Sequence, residues 1–221
     1  APENVDEVIC GNVLSAGLGQ NIGRTIALEA GIPETVCAHS VNMVCGSGLR
    51  TVMEAVMSIQ CGFNDIVVAG GVESMSGAPY LIPANTRTGN KMGNFTAVDH
   101  MIYDALTDAR ANIHMGVTAE NIAKKYNITR EEQDAFGYAS QQKAIAAVDS
   151  GRFKDEIVPI TVHLRKQDVV FDTDEHPNRK STPEKMAKLR PAFVKDGTVT
   201  AGNASGINDG ASFVLVASED A

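Results

Sequence analysis

The sequence VCAHSVNMVCGSGLRTVMEAVMSIQCGFNDIVVA, at residues 36–69, contains in order a strand, a glycine turn, a helix and a second strand. Successive side chains of residues 36–41 would fall on opposite faces of a strand. Residues 66–69 form a continuous apolar run, which is typical of a strand covered on both faces. This order of elements predicts a parallel α/β sheet with right-handed crossovers. Within the helix, apolar side chains recur at the spacing of one face, which we expect to be buried: Leu49, Val52, Met53, Val56 and Met57.

The flanking segments extend this α/β pattern in both directions. Residues 5–13 are predicted to form a strand, and residues 21–30 a helix that Gly31 and Pro33 terminate. Residues 76–94 are rich in Gly, Pro, Asn and Thr, which indicates a long excursion from the sheet. We predict, in chain order, a helix at 115–126, a helix at 130–149 with a capping box of Thr129 and Glu132, a strand at 157–164, a polar stretch at 167–180, a short helix from Thr182-Pro183, a loop at 198–210 and a strand at 212–217.

The composition favours a globular protein that binds neither nucleic acid nor membranes. Of its 221 residues 43% are hydrophobic, which is enough to build a core. The net charge of -8 is opposite to the basic surfaces of most nucleic-acid-binding proteins, and no apolar run approaches the roughly 20 residues of a membrane span. Four cysteines without a disulfide pattern, and no visible signal peptide, predict a cytoplasmic protein with reduced thiols. The abrupt ends at Ala1 and Ala221, without an initiator Met, lead us to expect a piece of a longer chain.

Cys45 is the residue with the clearest chemical potential. It lies where a strand gives way to a helix, and the unpaired N–H groups of a helix start stabilise a thiolate, the nucleophilic form of cysteine. Gly46 and Gly48 allow a substrate to approach closely, and the same N–H groups offer hydrogen bonds to a developing oxyanion. Acyl transfer through a thioester is therefore one interpretation, and a buried structural cysteine at a tight turn is the other.

The remaining cysteines and histidines carry weaker signals. Cys10 and Cys37 lie in apolar strands and Cys61 ends a helix, so we expect three buried core thiols and no metal site. His114 precedes a helix and is either a ligand contact or a helix cap. The small, polar residues 200–206 form either a loop that lies against an extended ligand or an ordinary solvent loop. The other histidines are interpreted as structural or surface residues: His39, His100, His163 and His176.

Four segments, in order and at close to the expected spacing, resemble the thiolase family over essentially the whole chain. They are VNMVCGSGL at 41–49, GGVESMS at 70–76, NIHMGVTAEN at 112–121, and AKLRPAF at 187–193 continuing to GTVTAGNASGINDGA at 197–211. The first resembles the family segment that bears the acyl-accepting cysteine. The resemblance implies an α/β thiolase-like fold, in which this chain supplies the first βαβαβ half, incomplete, with an inserted α+β loop domain.

The resemblance also implies a domain division and a binding site. Residues 1–76 and 208–221 would form the core half, and residues 77–207 the loop domain that carries the coenzyme A site. His114 and Met115 match family positions at the acyl and pantetheine end of the site. Family positions that contact coenzyme A correspond to Leu189, Phe193, Ala201, Ala204 and Ser205. Asn178, with Arg179 beside it, stands where the family often has an arginine that meets the nucleotide, and Lys185 replaces a frequent serine, which puts nucleotide contacts in doubt.

The reaction that the resemblance implies is the condensation of two acetyl-CoA molecules to acetoacetyl-CoA, and its reverse thiolysis, through an acyl-enzyme at Cys45. Coenzyme A thioesters would be substrates, with no tightly bound cofactor and no metal, and the intact protein would form a homodimer or homotetramer. The family segments that carry the activating histidine and a second acid–base cysteine do not occur between Ala1 and Ala221, so we expect this chain alone to lack full turnover. Two alternatives remain open: a 3-ketoacyl-CoA thiolase of fatty-acid degradation and a non-catalytic acyl-CoA-binding fragment.

Overall fold

The computed structural model describes residues 1–82 and 84–221, which form two compact units. The first unit comprises Ala1–Asn112 and Ile207–Ala221, and the second comprises Ile113–Gly206. Residues 77–112 therefore belong to the first compact unit, so this division falls later in the chain than the expected domain boundary at residue 77. One reason is that the buried His100 accepts a hydrogen bond from the N–H of Ala16 (3.5 Å), which fastens this segment to the loop after the first strand.

The predicted strands and helices occur in the predicted order, and the structure adds three short strands that were not predicted, Tyr80–Leu81, Val98–Asp99 and Asp168–Phe171. The strands are β1 (Glu7–Gly11), β2 (Cys37–Val41), β3 (Ile66–Ser74), β4 (Tyr80–Leu81), β5 (Val98–Asp99), β6 (Ile160–His163), β7 (Asp168–Phe171) and β8 (Asp209–Ala217). The α-helices are α1 (Ile22–Glu29), α2 (Ser47–Gln60), α3 (Met115–Tyr126), α4 (Arg130–Asp149) and α5 (Pro183–Ala187). Short 3₁₀ turns cover Pro2–Asn4 and Ala84–Arg87, and a π-helical turn covers Met101–Ala105. Within the described residues, no helix is both long and apolar enough to cross a membrane.

The first unit is built on a four-stranded sheet of order β2-β1-β3-β8. β1 is parallel to β2 and β3, which confirms the predicted parallel sheet, whereas β8 pairs with β3 in the antiparallel direction. Gly11 at the end of β1 is opposite Val41 and Gly71, so the first three strands reach the same edge of the sheet. The loop after β2 therefore lies at the end of the sheet where binding sites of α/β proteins form, because the carboxyl ends of parallel strands carry those loops.

The buried face of α2 differs from the prediction. Leu49 is 70% exposed, and Met53, Val56 and Met57 are exposed as well, while Val52 is partly buried against the core. The helix instead buries three small residues, Ser47, Thr51 and Ala55. Small side chains let it lie close to the sheet: a Cβ atom on Gly11 would come within 2.9 Å of the backbone of Ser47. The hydroxyl of Thr51 is satisfied there, since it donates to the carbonyls of Gly48 (2.7 Å) and Gly70 (3.1 Å).

The second unit contains α3, α4, α5 and a hairpin of β6 with β7. The capping box of Thr129 and Glu132 at the start of α4 is confirmed, as is Thr182 as the N-cap of α5. The polar stretch predicted at 167–180 was wrong in part, because Asp168–Phe171 forms a strand. Both strands of this hairpin are exposed, and β7 lies within an otherwise polar stretch, where a run of four residues gives little sign of a strand.

Candidate functional site

Cys45 lies in a strained turn between β2 and α2, and its side chain is exposed. Val44, immediately before it, has a φ of 50°, in the left-handed region that β-branched residues rarely adopt. Such a conformation costs on the order of 1–3 kcal/mol, and surrounding contacts must maintain it. The strain therefore indicates a turn that is shaped for the placement of Cys45.

Hydrogen bonds within the turn engage the N–H groups on both sides of Cys45 but not its own. Among the described residues, the N–H of Gly46 donates to the carbonyl of Met43 (3.1 Å), and that of Ser47 donates to the carbonyl of Val44 (3.0 Å). The N–H of Met43 donates to the hydroxyl of Ser47 (2.9 Å). The N–H of Cys45 thus stays available to a ligand, at the amino end of the 14-residue helix α2, where the helix dipole favours negative charge.

A cleft of about 540 Å³ opens beside Cys45 within the first unit. Its walls come from the ends of the strands, from the turn itself and from the residues after the π-helical turn, and include Val44, Leu14, Leu106 and Ala211. These side chains are apolar, so the cleft suits a small acyl group better than a charged one.

Glu73 shapes one wall of this cleft, at the end of β3. Its carboxylate accepts hydrogen bonds from the N–H groups of Val13 (3.0 Å) and Leu14 (2.9 Å), and from the amide of Asn12 (3.1 Å). These three contacts fix the loop after β1, which contributes Val13 and Leu14 to the lining. Sequence reasoning had identified Glu73 only as part of a family segment, because the partners are about 60 residues away along the chain.

The prediction that the other three cysteines are buried is correct for one of them and wrong for two. Cys10 is fully buried, and burial raises the pKa of its thiol above the ordinary value. Cys37 and Cys61, which were expected to be buried, are exposed. Cys37 begins an edge strand and Cys61 follows the last turn of α2, and neither position is covered by another element of the described chain. No group of three or more potential metal ligands occurs among the described residues.

His114 is the N-cap of α3. Its Nδ1 accepts a hydrogen bond from the N–H of Gly116 (3.0 Å), so the neutral ring carries its proton on Nε2. The ring stacks on Phe193 with centroids 4.8 Å apart, and a Cβ atom on Gly116 would come within 2.2 Å of the Phe193 ring. The capping interpretation is confirmed, and the structure brings together His114, Met115 at the first position of α3, and Phe193.

The loop after Gly197 is held by a carboxylate. Glu120 of α3 accepts hydrogen bonds from the N–H and hydroxyl of Thr198 (2.9 Å each) and from the N–H of Val199 (2.8 Å). Burial opposes ionisation of this group, but the hydrogen bonds outweigh it and hold the pKa of Glu120 below its ordinary value. A second anchor is Asn203, whose amide donates to Asp134 of α4 (2.9 Å). The loop is therefore anchored to α3 and α4, and whether residues 200–206 lie against a ligand stays a prediction.

A second cleft, of about 900 Å³, lies within the second unit. It is lined by Ala201 and Ala204 together with residues 169–181, whereas Leu189, Phe193 and Ser205 are not part of its lining. Leu189 instead packs on Gly202, where an added Cβ would meet its Cδ1 at 2.7 Å, and Ser205 is exposed.

Three residues stand at the positions where the sequence departs from the family's nucleotide contacts, and all three form hydrogen bonds within the protein: Asn178, Arg179 and Lys185. Arg179 lines the second cleft and forms a bidentate pair with Asp149 (2.6 and 2.9 Å), while the N–H of Asn178 donates to Gln141 (2.7 Å). Lys185 donates from Nζ to the carbonyl of Lys180 (2.8 Å). Whether any of these side chains contacts a nucleotide stays a prediction.

We expect Glu120→Gln to destabilise the second unit by about 2 kcal/mol at pH 7, because it removes the charge from a carboxylate that accepts several hydrogen bonds. The folded-state pKa of Glu120 is depressed, so its contribution is present above the unfolded pKa, about 4.3, and is lost as pH falls through the folded value. Urea unfolding at pH 7 and pH 3 measures this, and the difference between wild type and variant should shrink at the lower pH.

Glu219→Gln is the matched control, because it makes the same change in charge at an exposed position near the end of the chain. It should leave the free energy of unfolding within about 0.5 kcal/mol of wild type at both pH values. A Glu120→Gln variant with the same midpoint as Glu219→Gln at pH 7 would show that Glu120 does not stabilise the loop.

Comparisons with known proteins agree with this geometry. The family model described as "Thiolase, N-terminal domain" matches residues 1–220. The chain is 57% identical to the acetyl-CoA acetyltransferase of Syntrophomonas wolfei over 220 residues, covering 99% of this chain and 55% of that protein. It is 58% identical to the acetyl-CoA acetyltransferase of Thiocystis violacea over 220 residues, with 99% and 56% covered.

Two solved structures have a similar fold. The Bacillus anthracis acetyl-CoA acetyltransferase matches with a TM-score of 0.93 and 46% identity, over 100% of this chain and 56% of that one. The Acat5 thiolase from Ascaris suum, solved in complex with coenzyme A, matches with a TM-score of 0.91 and 41% identity, again over 100% and 56%. The chain thus spans about half the length of these relatives.

Proposed function

The chain belongs to the thiolase family and has its fold, and on that premise we propose that it provides the acyl-accepting part of an acetyl-CoA acetyltransferase, with Cys45 as the nucleophile. The observation that carries the proposal is the exposed thiol of Cys45 at the start of α2, in the wall of an apolar cleft. The names of the relatives, acetyl-CoA acetyltransferase, support the choice of the acetyl group.

In the proposed first step, the sulfur of Cys45 attacks the carbonyl carbon of acetyl-CoA. A bond forms between the Cys45 sulfur and the acetyl carbon, the bond from that carbon to the coenzyme A sulfur breaks, and coenzyme A leaves as a thiol after taking a proton. The N–H of Cys45, which the turn leaves unengaged, donates to the oxyanion that develops. The apolar walls around Val44 and Leu106 accommodate the methyl group.

We propose that the second unit binds the coenzyme A part of the substrate. Its anchored loop presents Ala201 and Ala204 to a cleft of about 900 Å³, a size that suits a long, narrow ligand. Phe193, stacked on His114, gives a rigid apolar surface to the same unit. The complete proposed set, carried over from the family, is His114, Met115, Leu189, Phe193, Ala201, Ala204 and Ser205.

The second half of the reaction draws on residues that the family carries outside the segment matched here. In the full protein, a second acetyl-CoA would lose a proton from its methyl carbon, and the resulting carbanion would attack the acetyl group on Cys45, releasing acetoacetyl-CoA. Thiolysis is the reverse. A homodimer or homotetramer remains a prediction of the family resemblance, and a cytoplasmic location remains a prediction from the cysteine content.

The test is to incubate the chain with acetyl-CoA and, separately, with hexanoyl-CoA, and to map acylated cysteines by peptide mass spectrometry under acidic quench. We expect acetylation of Cys45 to exceed that of the exposed Cys37 and Cys61 by at least about tenfold, because only Cys45 combines a helix start with an apolar cleft. We also expect acetyl-CoA to react faster than hexanoyl-CoA. Equal labelling of the three exposed cysteines would refute the nucleophile, and faster hexanoyl transfer would favour the 3-ketoacyl-CoA thiolase.

A further inference from the structure

We propose that Ser47 is a positioning residue that acts through Val44 to hold Cys45 in its reactive placement. The inference rests on the proposed function of Cys45 and adds a role for a side chain that acts through the backbone of Val44. Ser47 is the first residue of α2, is 4% exposed, and lies two residues after Cys45.

The hydroxyl of Ser47 makes two hydrogen bonds that span Val44. It accepts from the N–H of Met43 (2.9 Å), on one side of Val44, and donates to the carbonyl of Val44 itself (2.6 Å). Both the backbone before Val44 and the carbonyl that leads into Cys45 are thus fixed by one oxygen atom. A methyl group in place of the hydroxyl would leave both contacts unmade.

Val44 is the residue that needs such restraint, since its φ of 50° is unfavourable for a β-branched side chain. Without the hydroxyl, Val44 can lower its conformational free energy by relaxing toward a negative φ. This relaxation would move Cys45 away from the start of α2. The carbonyl of Val44 also accepts from the N–H of Ser47 (3.0 Å), so the backbone alone supplies part of the restraint. We therefore expect partial and not complete loss when the hydroxyl is removed.

The position of Ser47 is itself fixed by the sheet. A Cβ atom on Gly11 would come within 3.0 Å of the Ser47 Cβ, so the end of β1 lies directly against this side chain. One turn along the same buried face, Thr51 donates to the carbonyl of Gly70 in β3 (3.1 Å). The end of β1 therefore fixes the Ser47 side chain, and the Ser47 hydroxyl transmits that position to Val44 and Cys45. Thr51 holds the next turn of α2 against β3 and makes no hydrogen bond to residues 43–45 among the described residues.

The experiment measures the rate of alkylation by iodoacetamide at each of the four cysteines, by peptide mass spectrometry of the folded chain. In Ser47→Ala we expect Cys45 to react about tenfold more slowly than in wild type, with Cys37 and Cys61 unchanged. Thr51→Val is the matched control, because it removes a buried hydroxyl from the same helix face without touching the turn. It should leave the Cys45 rate within about twofold of wild type.

A double variant separates positioning from a general structural role. Glycine adopts a positive φ without strain, so Val44→Gly should restore most of the Cys45 rate that Ser47→Ala loses. The inference is overturned if Ser47→Ala reacts as wild type does, if Thr51→Val slows Cys45 equally, or if Val44→Gly restores nothing. If wild-type Cys45 reacts no faster than Cys37 and Cys61, it is the proposed function that fails, and the two failures are therefore distinguishable.

The labelling of Cys10 reports unfolding in the same measurement. Cys10 is fully buried and should stay unlabelled in every folded variant. If Ser47→Ala exposes Cys10, the double variant with Val44→Gly decides the question. Protection of Cys10 together with a recovered Cys45 rate then supports the inference, and continued labelling of Cys10 overturns it.

Discussion

Replacing Cys45 with serine is expected to abolish acetyl transfer from acetyl-CoA to the chain, with a loss of at least about 1,000-fold in rate. Among the described residues that line the cleft, the one carboxylate, Glu73, already accepts three hydrogen bonds, so a serine hydroxyl at position 45 would lack a free base to activate it. Sulfur needs less help, because it is intrinsically the stronger nucleophile. The measurement is the mass increase of the intact chain after incubation with acetyl-CoA.

Cys61→Ser is the matched control for this change. Cys61 is exposed and lies at the opposite end of the same helix, where the dipole disfavours an anion. The Cys61→Ser variant should be acetylated at the wild-type rate. Acetylation that persists in Cys45→Ser and disappears in Cys61→Ser would place the nucleophile at the wrong end of α2 and contradict the proposed mechanism.

Gly70→Ala is expected to destabilise the first unit by about 3 kcal/mol or more. Gly70 lies in the middle of β3, opposite Phe213 of β8. A Cβ atom there would come within 2.2 Å of the carbonyl oxygen of Ser212 and 2.6 Å of the Cα of Phe213, which are backbone atoms that cannot move without disrupting the strand pair. Urea unfolding, followed by circular dichroism, should show a lower midpoint with an unchanged slope.

Gly210→Ala tests whether the effect depends on this contact. Gly210 lies in the same strand pair, opposite Glu73, but an added Cβ would meet nothing within 4 Å. The free energy of unfolding of this variant should stay within about 0.5 kcal/mol of wild type, or rise slightly because alanine reduces the freedom of the unfolded chain. Equal loss in the two variants would mean that glycine is needed in these strands for backbone freedom and not for close packing.

Local patterns predicted the elements whose signals are contained within a few residues. The bounds of α3 and α4, and the capping box of Thr129 and Glu132, were predicted correctly, since caps and helix periodicity are written in neighbouring residues. The β7 strand was missed because its four residues lie within an otherwise polar stretch, whereas its equally exposed partner β6 was predicted.

The candidate site shows the same difference between features set by neighbouring residues and features set by distant contacts. Cys45 was identified from its glycine turn and from the family segment around it, and the structure confirms its place at the start of α2. The roles of Glu73 and Glu120 in fixing loops were not predicted, because their partners lie about 60 and 80 residues away along the chain. A carboxylate that accepts backbone hydrogen bonds at such distances leaves no periodic signal in the sequence.

By itself, the sequence determined the order of the longer strands and helices, the parallel start of the sheet, the membership of the thiolase family and the position of the candidate nucleophile. Only the tertiary structure decided which face of α2 is buried, that Cys37 and Cys61 are exposed, and that Val44 is held in a strained conformation before Cys45. The physical reason is that propensity and capping depend on adjacent residues, whereas burial and strain depend on which distant segments come into contact. Ser47 lies directly against Gly11 and the Thr51 hydroxyl reaches the carbonyl of Gly70, and no local pattern contains those distances.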